Sequence, residues 1–144
     1  MTGTHVFTYF LTENDDTKVI LKVKDMWDET EENKVYEIPT KLLSRFMEEF
    51  CWDDGGGRKI SPKFVIATNY HPDSVNHYMR ILDCDLSFPI LVMGDEEKMD
   101  VTLVCDGMHR LAHAVSNNLP TIKAKFLSLE QHDRCVEKSK ATIK

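Results

Sequence analysis

The sequence predicts a mixed α and β domain, on three observations. Strand-length runs rich in β-branched residues recur along the chain, among them Val35 to Ile38, Phe88 to Met93, Val101 to Cys105 and Thr121 to Leu127. Between them lie stretches whose apolar residues repeat at helical spacing. The chain has 144 residues and is 42% hydrophobic, enough for one real core, so the expectation is a single domain over residues 1–144.

Taken in order, His5 to Leu11 and Val19 to Lys24 are strand-like runs separated by Thr12 to Thr17, the pattern of a hairpin. Asp25 to Lys34 is acidic and polar. It reads as a solvated loop, with magnesium binding by its carboxylates the weaker alternative. Val35 to Ile38 is a strand ended by Pro39. Thr40 can then cap a helix with the apolar stripe Leu43, Phe46, Met47 and Phe50. Asp53 to Lys59 holds three glycines but neither GKS nor GxGxxG spacing, so it reads as a flexible surface loop, at most a lid.

Phe64 to Thr68 reads as a strand, and Tyr70-His71-Pro72-Asp73 as a helix start. The helix that follows, to about Leu82, is expected to bury Val75, Tyr78, Met79 and Leu82, with His77, Arg80 and Ile81 on another flank. Phe88 to Met93 is a strand, and 94–98 a polar turn. Ser128 can cap a short terminal helix with Glu130 or Gln131 in its first turn.

The chemistry concentrates in Val101 to Leu119, where a strand turns straight into a helix that buries Met108, Leu111, Ala112 and Val115. Asp106 stands at the N-cap position, and Gly107 permits a tight turn. Arg110 sits in the first helical turn with His109 beside it, where the helix dipole disfavours a cation by about 0.3–1 kcal/mol. A bound phosphate or carboxylate resolves that conflict, and so does pairing of Arg110 with Asp106 or another surface carboxylate. His109 and His113 also have the i, i+4 spacing of a zinc pair, with His71, His77, Asp85 or Asp106 as a third ligand.

Composition narrows the partners. Eighteen basic against twenty-four acidic residues leave a net charge of −6, which disfavours nucleic acid as the main partner. Residues 120–144 hold three acidic and six basic side chains, a mildly positive stretch that reads as a solvated helix. The four cysteines form no CxxC or Cys/His cluster, the usage of reduced, cytoplasmic thiols. No apolar run is long enough for a membrane span, and no export signal is evident.

Several of these segments together carry a resemblance. Pro89-Ile90-Leu91-Val92, a second strand, Asp106-Gly107-Met108-His109-Arg110-Leu111-Ala112 and a strand near Thr121-Ile122 resemble the signature half of the ParB/sulfiredoxin-like superfamily. Val35 to Pro39 with Leu42-Leu43 is similar to that family's opening strand and IP…L box. More narrowly, His77-x-x-Arg80-Ile81, Asp85 to Ile90 and the DGMHR motif resemble small stand-alone ParB-like proteins. The match covers roughly residues 35–127.

The resemblance implies a compact α+β fold, a small mixed sheet with about three to four helices, and nucleotide phosphates on the glycine turn and the helix after it. Asp106, Gly107, Met108, His109 and Arg110, with Arg80, would then line the phosphate site, and Asp85, His77 and Glu37 would be the acid–base or magnesium groups. ATP or another nucleotide with Mg²⁺ is the implied cofactor, and the acceptor is a small molecule or protein. Met108 stands where sulfiredoxin has its reactive cysteine, so sulfinic acid repair is not expected. Little chain follows Leu127, so the DNA-binding and dimerising parts of ParB are not expected. The expected function is thus a small cytoplasmic ATPase or phosphotransferase. The alternatives are a non-catalytic nucleotide-sensing or protein-binding module and, further off, a DNA-directed ParB-like nuclease.

Overall fold

The computed structural model describes residues 6–10, 18–54, 56–68 and 74–143. The strands are β1 (Val6–Phe10), β2 (Lys18–Lys22), β3 (Tyr36–Pro39), β4 (Trp52–Asp53), β5 (Lys59–Ile60), β6 (Ile90–Asp95), β7 (Asp100–Asp106) and β8 (Thr121–Phe126). The helices are α1 (Val23–Glu29), α2 (Pro62–Thr68), α3 (Val75–Asp83), α4 (Met108–Ser116) and α5 (Leu129–Ile143), with short 3₁₀ turns at Thr40–Leu42 and Ser44–Glu48. Four strands form a mixed sheet in the order β3-β8-β6-β7, and β1-β2 and β4-β5 are antiparallel pairs. The fold is therefore mixed α+β, with five α-helices among the described residues where three to four were expected.

The additional helices have local causes. Phe64 to Thr68, read as a strand for its β-branched residues, is the body of α2. Ser61 caps it, its hydroxyl accepting from the Phe64 N–H at 3.1 Å, and Pro62 supplies the preset φ of a first helical residue. A start signal thus overrides strand propensity. Asp25 to Lys34, read as loop, begins inside α1, which needs only Met26 and Thr30 buried and Trp27 half-buried to dock. The helix expected after Thr40 is the pair of 3₁₀ turns. Leu43, Phe46 and Met47 are buried as expected, but Phe50 is 73% exposed, and the Thr40 hydroxyl is buried without capping anything. Between β4 and β5, Asp54 Oδ1 accepts from the N–H groups of Gly56 and Arg58 at 2.8 and 3.1 Å. The expected signals at Thr12 to Thr17 and Tyr70 to Asp73 lie outside the described residues.

The chain divides into two compact units. The first comprises residues 1–34, 91–106 and 125–144, and its core is Leu21, Met26, Leu91, Cys105, Leu127 and Cys135. In it α5 is longer than the short helix expected, at 15 residues, but starts as expected. Ser128 Oγ accepts from Gln131 N–H and Gln131 Oε1 accepts from Ser128 N–H, a reciprocal capping box. Arg134 and Lys138 of α5 both reach Glu29 of α1, at 2.7 and 2.8 Å, and their hydrogen bonds hold that carboxyl below its ordinary range.

The second unit comprises residues 35–90 and 107–124 and buries Ile38, Val65, Ile81, Ile90, Leu111 and Ile122, among others. Here α2, α3 and α4 pack together. Ile81, expected on an outer flank of α3, is its buried residue, and Met79 and Leu82, expected inside, are about half exposed. On α4, Leu111, Ala112 and Ala114 are buried, while Met108 and Val115 are only partly covered. Among the described residues no helix is long and apolar enough to cross a membrane.

Candidate functional site

The site is built at the start of α4, in the second unit. Gly107 occupies the N-cap position at φ 106°, ψ 22°, a left-handed conformation that L side chains rarely adopt. A Cβ there would also lie 2.5 Å from Cγ2 and 2.8 Å from Cβ of the buried Ile90. Both constraints call for glycine. The first intrahelical bond runs from Leu111 N–H to Gly107 C=O at 2.9 Å, and no side chain caps the helix. The N–H groups of Met108, His109 and Arg110 precede that bond, so the helix itself offers them no acceptor.

Asp106 is not the cap that was expected. It ends β7 in extended geometry, and with glycine turning the chain its Oδ2 accepts instead from Trp27 Nε1–H at 2.8 Å, inside the first unit. Arg110 donates from Nη1 to the Pro89 carbonyl at 3.3 Å, which ties its guanidinium to the strand entrance beside the turn.

His109 lies on the same side as His77 of α3. His77 Nδ1 and His109 Nε2 are 3.1 Å apart, and His77 Nε2 is 2.7 Å from the backbone oxygen of Asp53. Trp52 of β4 lies parallel to both imidazoles, its centroid 4.8 Å from that of His77 and 4.2 Å from that of His109. Burial pushes the His109 pKa down to about 3, and Arg80, His77 and Arg110 push it the same way. Among the described residues, each charged group acting on His109 is thus a cation or a potential one.

Four of the expected site residues, His77, Arg80, His109 and Arg110, are therefore brought to one place. Met108 is half-buried in the first turn. Asp85 forms a turn, with Oδ1 accepting from Ser87 N–H at 2.9 Å. The Ser87 hydroxyl and N–H, and then the field of Arg110, hold its carboxyl below the ordinary range. Glu37 is elsewhere on β3, where its Oε1 accepts from Thr121 Oγ1 of β8 at 3.4 Å. His113 donates from Nδ1 to the Ile81 carbonyl at 2.8 Å and so fastens α4 to the end of α3, while the Nε2 of His109 faces His77. The i, i+4 pair thus has two separate partners, and no group of three or more metal-ligating side chains forms among the described residues. His71 lies outside them.

Among the groups with a shifted pKa, Asp85 is the carboxylate that feels the field of Arg110. Cys84 Sγ donates to the Ile81 carbonyl at 3.2 Å and lies 3.8 Å from that of His109, with its thiol pushed up by burial. Cys105, next to the motif, is buried with its thiol pushed up to about 12. Neither is an activated nucleophile.

Sequence reasoning missed Trp52 and the Asp53 carbonyl. The only local hint was a tryptophan next to a glycine-rich turn, and nothing in the spacing links it to a histidine 25 or 57 residues on. A separate cavity of about 530 Å³ lies by the other end of α4, lined by Thr40, Lys41, Ser44, Val115, Leu119 and Pro120 among others. None of the ring cluster or the arginines lines it. No family model, curated protein or solved structure matches the chain.

Proposed function

We propose that the start of α4 binds the phosphates of a nucleotide, ATP or another, and that the chain is a small nucleotide-dependent phosphotransferase or hydrolase. The observation that carries this is the gathering of Arg80, Arg110 and His109 at an uncapped helix N-terminus. Such a gathering is unfavourable without an anion, and three N–H groups with two guanidiniums meet one well. In use, Arg110 and the helix N–H groups hold the phosphates, Arg80 adds charge, and the imidazole pair handles the proton of the attacking hydroxyl. The acceptor is a small molecule or a protein. A non-catalytic nucleotide sensor is the second reading, favoured by the engagement of Asp85 with Ser87 and of Glu37 with Thr121.

The test is thermal stability of the full chain with ATP, ADP, CTP or GTP and magnesium, for wild type, Arg110→Ala and Arg80→Ala. A ligand at about 100 times its Kd stabilises by about 2.7 kcal/mol, a midpoint shift of roughly 5–10 °C. Arg80 is exposed, so its variant keeps the fold and should lose most of the shift. No shift with any nucleotide, or a shift untouched in both variants, refutes the site. Turnover of the nucleotide that binds then separates enzyme from sensor.

A further inference from the structure

The two imidazoles are joined edge to edge. An imidazole nitrogen lies about 1.1 Å from its ring centre, so rings bonded nitrogen to nitrogen in one plane at this distance have centres about 5.3 Å apart. The observed separation is 5.3 Å, with 14° between the planes. Trp52 is inclined by only 5° and 11° to the two rings, so both lie on one face of its indole, which holds them level. The bond between them is therefore well aimed.

The backbone fixes where the protons sit. A carbonyl only accepts, so His77 must carry its proton on Nε2 to meet the Asp53 oxygen. In neutral His77 the Nδ1 is then bare, and His109 must donate to it from Nε2. That leaves the Nδ1 of His109 as a lone pair on the backbone side of its ring, with no partner among the described residues. We infer that His109 and His77 are a proton-sharing pair, in which His109 Nδ1 takes a proton from a hydroxyl-bearing acceptor or water while His77 carries the resulting charge.

The step balances within the pair. The acceptor's O–H bond breaks as Nδ1–H of His109 forms. The Nε2–H of His109 then breaks as Nδ1–H of His77 forms. His109 stays neutral in the opposite tautomer, and His77 becomes an imidazolium that donates to His109 Nε2 and to the Asp53 carbonyl. Protonation of a leaving oxygen runs the sequence backwards. The arrangement explains how a base can work beside Arg80 and Arg110, because the cation forms on His77 instead of on His109, whose pKa both arginines push down. Among the described residues, the groups facing the pair are Arg80 from α3, Arg110 from α4, and Trp52 with the Asp53 carbonyl from β4. His109 is thus the candidate catalytic residue, and His77 is a positioning residue that also stores charge.

The catalytic use of the pair rests on the phosphate site proposed above, but its proton arrangement does not. Imidazole ¹⁵N chemical shifts of the ligand-free full chain therefore test it whether or not a nucleotide binds. At pH 8 both histidines should show Nε2–H with Nδ1 bare. As the pH is lowered until His77 is doubly protonated, the His109 proton should move from Nε2 to Nδ1 in the same step. His109 carrying its proton on Nδ1 at pH 8, or becoming doubly protonated together with His77, overturns the inference. In His77→Phe, which keeps a ring under Trp52, the coupled move of the His109 proton should vanish. If it persists, His77 does not drive it and the inference fails. The wild-type measurement stands by itself if that variant does not fold.

Discussion

Replacing Gly107 with alanine puts the geometry of the turn to a quantitative test. The left-handed backbone costs an L residue about 1–2 kcal/mol. The added methyl then meets Ile90, fully buried at the start of β6, at 2.5 and 2.8 Å. Rotating Ile90 relieves the contact with Cγ2, but its Cβ is fixed to the strand backbone, and β-branched side chains are stiff at χ1. Overpacking of this kind adds about 1–3 kcal/mol, so Gly107→Ala should destabilise by about 2–5 kcal/mol in all.

Gly57 separates the two contributions. It has φ 90°, and a methyl added there would meet nothing within 4 Å, so Gly57→Ala carries the backbone penalty alone, about 1–2 kcal/mol or less. Urea unfolding of the full chain followed by circular dichroism measures both variants against wild type. The two should differ by about 1–3 kcal/mol, with equal m-values. Equal destabilisation would mean that Ile90 does not crowd the turn, and that the close approach of β6 to the helix start is wrong.

Three further outcomes are expected. His109 binds fewer protons folded, at a pKa of about 3, than unfolded, at 6.5, so its contribution to stability is complete above about pH 6.5 and is lost as pH falls towards 3. At about 1.4 kcal/mol per pH unit, reduced for partial exposure, the stability gap between wild type and His109→Gln should change by about 1–2 kcal/mol from pH 7 to pH 5, and a constant gap in urea titrations would rule this out. Trp27→Phe keeps an aromatic ring, though a smaller one, and removes the donor to Asp106, which should cost about 1.5–3 kcal/mol; a loss below about 0.5 kcal/mol in the same assay would show the bond to be idle. Ser128→Ala should cost about 1 kcal/mol by opening the capping box of α5, with an unchanged urea midpoint as the contrary result.

Much of the fold was legible because local signals agreed with tertiary ones. The runs at 101–105 and 121–127 alternate or concentrate β-branched residues, and they form β7 and β8. Ser128 with Gln131 announced α5 through a reciprocal bond that needs no distant partner. The misreadings came where two local signals disagreed. At 61–68 the Ser-Pro start and the β-branched body point to different structures, and the start prevailed because it satisfies the first N–H groups of a helix directly. At 25–34 the acidic run concealed Met26 and Thr30, two buried residues at i, i+4, which is all that a seven-residue helix needs.

The site was legible as a set of residue types but not as a geometry, and α3 shows why. Its apolar residues suggested an inward stripe of Val75, Tyr78, Met79 and Leu82. The inward face in fact carries Ser74, His77 and Ile81, which lie at i, i+3 and i+7. Ser74 is buried with its hydroxyl 2.9 Å from that of Thr68, and His77 meets His109, so two of the three inward positions are polar. A rule that places apolar residues inside fails on such a face, because the polar groups there are satisfied by partners from other elements. Those partners, Thr68 of α2, the Asp53 carbonyl of β4 and His109 of α4, come from three separate stretches of the chain. No periodicity within α3 encodes them. The half-exposed Met79 and Leu82 on the outside are the same fact seen from the other face: the helix is oriented by its histidine's partners and by one isoleucine, not by the bulk of its apolar surface.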